Sequence, residues 1–458
     1  MKNIMTVDIV ILAAGQGTRM KSLLPKVLHP LAGTPLLQHV INMAETIPNS
    51  NITLVTGYAS EQIKNSVVGE DLKYVHQAEQ LGTANAVQMA APNLNPDGIT
   101  LVLYGDVPLI SYKTVLSTLK VVNNNTMGLL TVVLRKPDGY GRIVRDSKGD
   151  ICEIIEQKDA NPQELEINEI NTGVMAIRTN LLQKWLPQIK NDNAQNEYYL
   201  TDLISIAHKA SIKIQAVNPD TPEEVEGVNT RKQLSKLERF YQQEQANKLM
   251  VNGATLADPS RVDIRGTTIC GMDTFIDINT VFVGEVKLGK NVTIGPNCFI
   301  SESIIGDNVE IKAHTIIENS TVCDGAEIGP FARVRPGTVL NDNSKIGNFV
   351  EVKNTEVGKN SKINHLSYVG DSELGKDVNV GAGTITCNYD GINKNKTIVG
   401  DHSFVGSNVS LVAPVTIGVN VTIGAGSTIT KDVPDNELSL SRSPQLNKSG
   451  WIRKKKKK

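Results

Sequence analysis

The C-terminal part of the chain carries an aliphatic residue at every sixth position, and few folds accommodate such a pattern. A hexad is a short strand plus a corner, and three hexads close one triangular coil. Each coil buries its aliphatic residues only when it is stacked on its neighbours, so the pattern predicts a parallel β-helix. With occasional one-residue slips, the repeated positions are Leu288, Ile294, Ile300, Ile305, Ile311, Ile317, Val322, Ile328, Val334, Leu340, Ile346, Val352, Val357, Ile363, Val369, Val399, Val405, Leu411, Ile417, Ile423 and Ile429.

The repeat is interrupted by the polar stretch TCNYDGINKNK, from Thr386 to Lys396, before it resumes at Val399. The hexads alone do not require this insertion. Loops carried on a rigid scaffold are usual places for binding chemistry. We therefore expect the ladder residues to be structural and the insertion to have a function.

The first half of the chain has a different rhythm, in which short apolar runs alternate with segments of helical spacing. This alternation predicts an α/β domain with a mostly parallel sheet. The stretch NTRKQLSKLERFYQQEQANKLM then predicts an amphipathic helix. We expect an α/β domain at 1–228, a helical linker at 229–251, the β-helix at 252–441 and a basic tail at 442–458.

Composition excludes several classes of protein. Lys plus Arg numbers 47 against 48 for Asp plus Glu, so the net charge of −1 gives no general attraction to nucleic acid or membranes. The five cysteines are scattered without a CxxC pair, which favours a reducing cytoplasm. The sequence shows neither a leader pattern nor a long apolar run, so we expect no membrane insertion. The lysines from Lys454 to Lys458 are expected to form a solvated tail rather than a polyanion-binding arm.

The stretch ILAAGQGTRMKSLLPK, from Ile11 to Lys26, leaves an apolar strand and enters a turn of small residues. Met20 stands where a dinucleotide-binding GxGxxG motif needs Gly or Ala, and where a P-loop needs Gly before Lys-Ser, so neither motif fits. Small side chains nevertheless let backbone N–H groups approach a phosphate closely. With Arg19 and Lys26 as nearby cations, the turn at Gly15 predicts a phosphate site.

Two further segments carry polar residues suited to a ligand. HQAEQLGTANA places Gln77, Gly82 and Thr83 in a loop before a helix, where they are suited to hydrogen bonds with a base edge. LVLYGDVPL ends a buried strand at Asp106, and carboxylates at the C-terminal ends of parallel strands face the ligand crevice. From its position alone, Asp106 is either a metal ligand or the cap of a helix or turn.

Together these parts resemble the sugar-1-phosphate nucleotidyltransferases, whose Rossmann-like domain carries the signature LxxGxGTRM followed by PK. The matching residues are Leu12, Gly15, Gly17, Thr18, Arg19, Met20, Pro25 and Lys26. With its hexapeptide array, the chain is similar nearly end to end to a bacterial family of bifunctional enzymes, the N-acetylglucosamine-1-phosphate uridyltransferases that are also glucosamine-1-phosphate acetyltransferases. Other shared motifs are QAEQLGTA, YGDVPLI, GYGRI, EINTGV, EYYLTD, VEGVN, GPFARVRPG, NFVEVK, GAGTITCNYDG and LVAPVTIG.

For the N-terminal domain, the resemblance implies uridylyl transfer from UTP to N-acetylglucosamine 1-phosphate with release of pyrophosphate. Mg²⁺ would be held by Asp106 and Asn229, and Arg19 and Lys26 would serve catalysis by neutralising charge. Gln16 stands where a Lys is common in the family, and we expect little effect because its backbone should line the phosphate path. The implied substrate-binding residues are Leu12, Ala13, Ala14, Gly15, Lys26, Gln77, Gly82, Thr83, Tyr104, Gly105, Asp106, Gly141, Glu156, Asn171 and Asn229, with the segment 197–199 beside the sugar.

For the β-helix, the resemblance implies acetyl transfer from acetyl-CoA to glucosamine 1-phosphate. His365 would be the general base that takes a proton from the sugar's ammonium. Without the resemblance, a lone histidine is more often structural. The residues implied to hold sugar phosphate and coenzyme A are Arg335, Lys353, Tyr368, Asn379, Ala382, Asn388, Tyr389, Ser407, Ala425 and Arg442.

The resemblance also implies a left-handed β-helix, a hand that periodicity alone leaves open, and a homotrimer with acetyl-transfer sites between subunits. Acetylation would precede uridylation, giving UDP-N-acetylglucosamine for peptidoglycan and lipopolysaccharide. Two alternatives stay open. One is a monofunctional nucleotidyltransferase for another sugar with a structural hexapeptide domain, against which His365 argues. The other is a noncatalytic nucleotide sensor on a trimerising stalk, against which Lys26 and Asp106 argue.

Overall fold

The computed structural model describes residues 6–453 of the chain, and the lysine run expected to form a tail, Lys454 to Lys458, lies outside the described residues. The chain divides into two compact units, Met1–Tyr241 and Gln242–Lys458.

The N-terminal unit is an α/β domain. Its strands are β1 (Val7–Ala13), β2 (Pro30–Leu31), β3 (Thr34–Pro35), β4 (Ser50–Thr56), β5 (Lys73–His76), β6 (Ile99–Tyr104), β7 (Thr126–Val133), β8 (Arg142–Arg145), β9 (Ile151–Ile155), β10 (Glu169–Arg178) and β11 (Lys213–Val217). Its helices are α1 (Leu36–Glu45), α2 (Ser60–Ser66), α3 (Thr83–Ala90), α4 (Tyr112–Lys120), α5 (Pro162–Leu165), α6 (Thr179–Trp185) and α7 (Asp202–Lys209).

The main sheet has the strand order β11-β7-β10-β6-β1-β4-β5, with the β8–β9 hairpin attached to β10. Strands β6, β1, β4 and β5 run parallel, whereas β10 is antiparallel to both β6 and β7. All seven residues of β1 are buried, because helices cover both faces of the sheet. The carboxyl ends of the parallel strands therefore meet at one edge, where the polar segments begin.

A long helix, α8, runs from Arg231 to Val251 and contains the boundary between the two units. Leu237 and Leu249 on this helix are buried, as the amphipathic pattern predicts. Within residues 6–453, no helix combines the length and apolar character needed to cross a membrane.

The C-terminal unit is built of short parallel strands. They are β12 (Thr255–Leu256), β13 (Val262–Cys270), β14 (Phe275–Ile276), β15 (Thr280–Leu288), β16 (Thr293–Ile294), β17 (Phe299–Ile305), β18 (Glu310–Ile311), β19 (Ile316–Glu318), β20 (Thr321–Val322), β21 (Glu327–Ile328), β22 (Arg333–Arg335), β23 (Val339–Leu340), β24 (Lys345–Asn348), β25 (Glu351–Lys353), β26 (Glu356–Val357), β27 (Lys362–His365), β28 (Tyr368–Gly370), β29 (Ser372–Leu374), β30 (Asn379–Val380), β31 (Ile385–Cys387), β32 (Thr397–Val399), β33 (Phe404–Val405), β34 (Ser410–Val412), β35 (Val415–Ile417), β36 (Thr422–Ile423), β37 (Thr428–Ile429) and β38 (Leu438–Ser439).

These strands form a left-handed parallel β-helix with three faces. The first face is the sheet from β12 through β21, β24, β27 and β30 to β38. The second face runs through β22, β25, β28 and β31, and the third runs through β23, β26 and β29; both continue from the longer strand β17. The three faces meet at corners to give a triangular prism. This result confirms the fold class predicted from the hexads.

The aliphatic ladder fills the interior of the prism. On the first face, Ile311 pairs with Ile328, which pairs with Ile346 and then with Ile363 in successive coils. All four side chains are at most 1% exposed. Burying such a side chain stabilises the fold by about 1.5–3 kcal/mol, so stacking is the main source of stability in this unit.

The insertion after β31 folds back against the prism. Tyr389 and Lys394 form an antiparallel bridge, and the backbone N–H of Asn395 donates to the carbonyl of Asn388 at 2.8 Å. The hydroxyl of Tyr389 donates to the carbonyl of Gly391 at 2.6 Å. The insertion is therefore a short closed hairpin.

Candidate active sites

A cavity of about 410 Å³ lies at the carboxyl edge of the N-terminal sheet. It brings together most of the residues predicted to bind a ligand in the turn after β1, in HQAEQLGTANA and in LVLYGDVPL. Its lining residues are Leu12, Ala13, Ala14, Gly15, Lys26, Val27, Gln77, Gln80, Gly82, Thr83, Ala86, Tyr104, Asp106 and Glu197. The turn after β1 is thus the floor of a pocket.

Two hydrogen bonds, one from a side chain and one from the backbone, anchor the carbonyl groups of that turn. The amide of Gln80 donates to the carbonyl of Ala14 at 3.0 Å, and the N–H of Gly105 donates to the carbonyl of Leu12 at 2.9 Å. Gly17 has a φ of 66°, and a Cβ there would lie 2.4 Å from Cβ of Lys26. Glycine is required at position 17 because both its dihedral angle and its contact with the lysine exclude a side chain.

Two cations and two oxygen groups converge beside the cavity. The ammonium of Lys26 lies 2.5 Å from Oδ2 of Asp106 and 3.0 Å from Oδ1 of Asn229. The guanidinium of Arg19 also donates to Oδ1 of Asn229, at 2.9 Å. The Oδ2 atom of Asp106 is therefore engaged with the ammonium of Lys26.

Asn229 reaches this position through a backbone link. The N–H of Val228 donates to the carbonyl of Asp106 at 2.9 Å, which fixes the segment before α8 against the end of β6. The N–H of Asn229 donates to the side chain of Gln233 at 3.0 Å. These bonds place a carboxylate and an amide oxygen side by side, although the residues are far apart in sequence.

The segment expected to contact a base is also built into the cavity wall. Gln77 is buried and its amide donates to the carbonyl of Gly82 at 3.2 Å and to Asn85 at 2.8 Å. Thr83 begins α3 rather than ending a loop, and its hydroxyl accepts from the N–H of Leu200 at 3.0 Å. Thr83 therefore both lines the cavity and anchors the neighbouring segment.

The residues expected to hold the sugar form a group next to this cavity. Glu156 is half-buried, and burial raises the pKa of its carboxyl, although a hydrogen bond from Thr201 opposes the shift. The N–H of Asn171 donates to the carbonyl of Gly141 at 2.9 Å. Burial also raises the pKa of the Tyr104 phenol, which therefore stays protonated.

In the β-helix, the expected phosphate-binding residues of the second face lie on adjacent coils. Arg335 pairs with Lys353 in register, and the guanidinium of Arg335 donates to Glu351 at 2.8 Å. The amide of Asn388 donates to Asp371 and lies 3.5 Å from the hydroxyl of Tyr368. The insertion therefore places Asn388 at the face that carries Arg335 and Lys353.

Lys394 of the insertion is a second lysine in this group. Contact with Lys394 raises the pKa of Lys353, with a further contribution from Asp371, which lies 3.6 Å from Lys353. The hydrogen bond with Lys353 lowers the pKa of Lys394, and the positive charge of Lys353 lowers it further. Clustered cations of this kind are suited to an anionic group.

His365 lies at the end of β27, at the corner before the second face. Its Nδ1 is 2.6 Å from Oδ1 of Asn348, which occupies the paired position in the preceding coil. Because an amide oxygen can only accept, Nδ1 carries the proton and Nε2 has the free lone pair. The exposed ring therefore has the tautomer that a general base acting through Nε2 requires.

Several of the residues expected to bind coenzyme A lie at the same corner of the prism as His365, in the coils that follow it. The carbonyl of Ala382 accepts from the N–H of Asn408 at 2.8 Å, directly after Ser407. The guanidinium of Arg442 donates to the carbonyl of Ala425 at 2.7 Å. These residues form a column in successive coils below His365.

Within one chain, Asn379 lies on a different face of the prism from Arg335 and Lys353. It lies on the first face, in a groove of about 580 Å³ that is also lined by Glu327, Lys345 and Lys362. The residues expected for the acetyl-transfer site are thus divided between two faces of the prism.

Sequence reasoning missed three residues of these sites. Gln80 lies inside the QAEQLGTA motif but was not singled out, and Lys394 lies inside the insertion. Asn348 sits one coil before His365, and only the coil length links the two positions. The expected residues that do not line the 410 Å³ cavity itself are Arg19, Gly105, Gly141, Glu156, Asn171, Tyr198, Tyr199 and Asn229.

The fold and the sites define a class: a nucleotidyltransferase whose α/β domain is joined to a hexapeptide-repeat acyltransferase. Residues 9–162 match the MobA-like NTP transferase domain, and residues 396–431 match the bacterial transferase hexapeptide of six repeats. Residues 264–346 match the GMPPB C-terminal domain.

The similarity to known proteins extends over almost the whole chain. Bifunctional protein GlmU of Idiomarina loihiensis is 51% identical over 99% of this chain and 100% of its own length. Bifunctional protein GlmU of Marinobacter nauticus is 53% identical over 98% of this chain and 99% of its own length. The chain belongs to the GlmU family. It is accordingly a bifunctional enzyme, both an N-acetylglucosamine-1-phosphate uridyltransferase and a glucosamine-1-phosphate acetyltransferase, and it uses UTP and acetyl-CoA.

Proposed function

We propose that uridylyl transfer takes place in the 410 Å³ cavity, in a domain spanning 1–228, with Mg²⁺ held by Asp106 and Asn229. The observation that carries this proposal is the convergence of Oδ2 of Asp106 and Oδ1 of Asn229 on one ammonium. Two oxygens already directed at a cation are a fitting ligand pair for Mg²⁺, which keeps several waters. Residues 6–453 contain no cluster of three His, Cys, Asp or Glu side chains that could hold a metal.

The chain's own residues orient the reactants and neutralise their charge. A phosphate oxygen of the sugar attacks the α-phosphorus of UTP, and the bond to pyrophosphate breaks in line. Lys26 and Arg19 offset the negative charge that the reactants bring together. The turn from Leu12 to Gly15 lets the triphosphate approach the backbone. Mg²⁺ held by Asp106 and Asn229 would supply positive charge to the phosphate groups.

Base and sugar occupy opposite parts of the site in this proposal. Gln77, Gly82 and Thr83 line the wall where the uracil lies. The sugar contacts lie beyond Tyr104, where Glu156 accepts from a sugar hydroxyl. The remaining sugar contacts are Gly141, Asn171 and the segment 197–199, whereas Gly105 lies beside Asp106.

We assign acetyl transfer to the β-helix, 252–441, with His365 as general base. Its Nε2 takes a proton from the substrate ammonium, and the free amine then attacks the thioester carbonyl of acetyl-CoA, so that coenzyme A leaves. Arg335 and Lys353 hold the sugar phosphate together with Tyr368 and Asn379. Coenzyme A lies along the column formed by Ala382, Ser407, Ala425 and Arg442. Asn388 and Tyr389 of the insertion complete the sugar and coenzyme A site.

We also propose a homotrimer with the acetyl-transfer site between subunits. The position of Asn379 on a different face from Arg335 supports an assembly in which faces of neighbouring subunits meet. A ridge of exposed apolar side chains beside His365, formed by Phe331, Phe349 and Leu366, supplies a contact surface; these residues are 48%, 55% and 64% exposed. A cytoplasmic location is proposed because all five cysteines are free thiols.

Two variants test whether the two activities use separate sites. His365→Ala should lower coenzyme A release by roughly 10²–10⁴-fold, since a general base is removed, and should leave pyrophosphate release unchanged. Asp106→Ala should lower pyrophosphate release by roughly 10²–10³-fold and leave coenzyme A release unchanged. Both products are measured on the same purified protein. Parallel loss of the two activities in either variant would contradict the assignment of independent sites.

A further inference from the structure

Lys26 is bonded to both oxygens that the proposed Mg²⁺ requires. Its Nζ lies 2.5 Å from Oδ2 of Asp106 and 3.0 Å from Oδ1 of Asn229. The side chains of Lys26 and Asp106 are only 16% and 15% exposed, so water screens the pair weakly. Mg²⁺ binds oxygens at about 2.0–2.1 Å, so its two positive charges would strongly repel an ammonium bonded to the same two atoms.

We infer that Lys26 and the divalent ion compete for Asp106 and Asn229, and that entry of the ion releases the ammonium to bind the triphosphate. This inference rests on the metal role proposed for Asp106 and Asn229. It gives Lys26 a second task beyond charge neutralisation, which is to couple cation binding to nucleotide binding.

The local structure permits this exchange without a change of backbone. Lys26 begins a 3₁₀ turn, Lys26–Leu28, and the N–H of His29 donates to the carbonyl of Lys26 at 3.2 Å. Only the four-carbon side chain has to rotate. Lys26 lines the same cavity as Ala14 and Gly15, so a released ammonium lies where we place the phosphates.

The charges of the cluster explain why the exchange favours joint binding. Arg19 and Lys26 bring two positive charges to Asn229 and Asp106, against one carboxylate. A divalent ion that binds without nucleotide must displace the ammonium of Lys26, which then has no new partner. Binding of the ion alone should therefore be weak. A triphosphate accepts the displaced ammonium, so the ion and the nucleotide should strengthen each other's binding.

The test is direct binding of Mn²⁺, in the absence of nucleotide, followed by electron paramagnetic resonance on the full-length protein. Lys26→Met keeps the length of the side chain and removes the charge, and it should bind Mn²⁺ at least ten-fold more tightly than the parent. Lys21→Met is the matched control, since Lys21 is an exposed lysine of the same loop, and it should bind like the parent. Asp106→Asn should abolish binding in either background.

The outcomes separate this inference from the proposed function. If Lys26→Met binds Mn²⁺ no more tightly than the parent while Asp106→Asn abolishes binding, the competition is overturned and the metal role stands. If Asp106→Asn binds Mn²⁺ normally, the metal role itself fails. A crystal of the parent soaked in Mn²⁺ gives a readout that needs no variant. The ammonium of Lys26 should leave Asp106, and an ammonium still bonded to Asp106 beside a bound ion would overturn the inference.

Discussion

Nδ1 of His365 lies 2.6 Å from Oδ1 of Asn348, and the two residues are paired across adjacent coils of the β-helix. The amide oxygen accepts from the Nδ1–H and so selects the tautomer in which Nε2 is free. Asn348 would thus act as a positioning residue for His365, the proposed general base.

Asn348→Ala should lower kcat for acetyl transfer by roughly ten- to a hundred-fold, less than the roughly 10²–10⁴-fold expected for loss of the base itself. The KM for glucosamine 1-phosphate should change little. Asn348→Asp should restore much of the rate and move the acid limb of the kcat/KM profile to higher pH, because a carboxylate favours the protonated imidazole. A purely structural role predicts an unchanged pH profile, so a profile that does not move would contradict this prediction.

Binding of N-acetylglucosamine 1-phosphate should weaken at mildly acidic pH. Burial raises the pKa of Glu156 above the ordinary value of 4.5, so this carboxylate takes up a proton at a higher pH than an exposed glutamate does. Protonation replaces a charged acceptor by a neutral one, and hydrogen bonds to charged groups are worth about 1.5–3 kcal/mol. The KM for the sugar phosphate should therefore rise as the pH falls from 7 toward 5.

Glu156→Gln should remove that pH dependence, with a higher KM throughout the range. Glu153→Gln is the control, since Glu153 is an exposed carboxylate on β9 of the same hairpin. If Glu156→Gln shows the same rise of KM at low pH as the parent, another group is responsible.

Gly82→Ala should damage the uridyltransferase cavity. A Cβ at this position would lie 2.5 Å from the carbonyl oxygen of Tyr198, and the φ of 112° is one that side chains rarely adopt. The segment carrying Glu197 must move, so the KM for UTP should rise and thermal unfolding should begin at lower temperature. Gly139→Ala has a φ of 90° but meets nothing within 4 Å, so it isolates the cost of the dihedral angle from the cost of the clash.

Phe349→Asp should dissociate the proposed trimer. The ring stacks on Phe331 with centroids 5.3 Å apart and lies on the exposed ridge beside His365. Light scattering should then report a mass near 49.6 kDa instead of three times that value. Acetyl transfer should fall while uridylyl transfer persists.

Val419→Asp is the matched control for the trimer prediction. Val419 is 43% exposed, but its N–H donates to the carboxylate of Asp435, which places it on a polar corner of the prism. This variant should stay trimeric. A parent protein that runs as a monomer would contradict the proposed assembly.

The β-helix and the small-residue turn at Gly15 could both be predicted from the sequence, because both are encoded locally. Burial of one aliphatic residue per hexad repeats along the chain, and Ile328, Ile346 and Ile363 indeed stack in register. The signature around Gly15 is likewise contiguous, and the glycine at position 17 is explained by its own dihedral angle and by its contact with Lys26.

Which distant side chains meet depends on how the whole chain folds. The hydrogen bond from Val228 to Asp106 brings Asn229 to the end of β6, and no local pattern encodes that closure. The pairing of Asn348 with His365 depends on the length of one coil, and the separation of Asn379 from Arg335 depends on which face each strand joins. Periodicity reports whether a side chain is buried, whereas the partner it contacts is set by the path of the chain between the two positions.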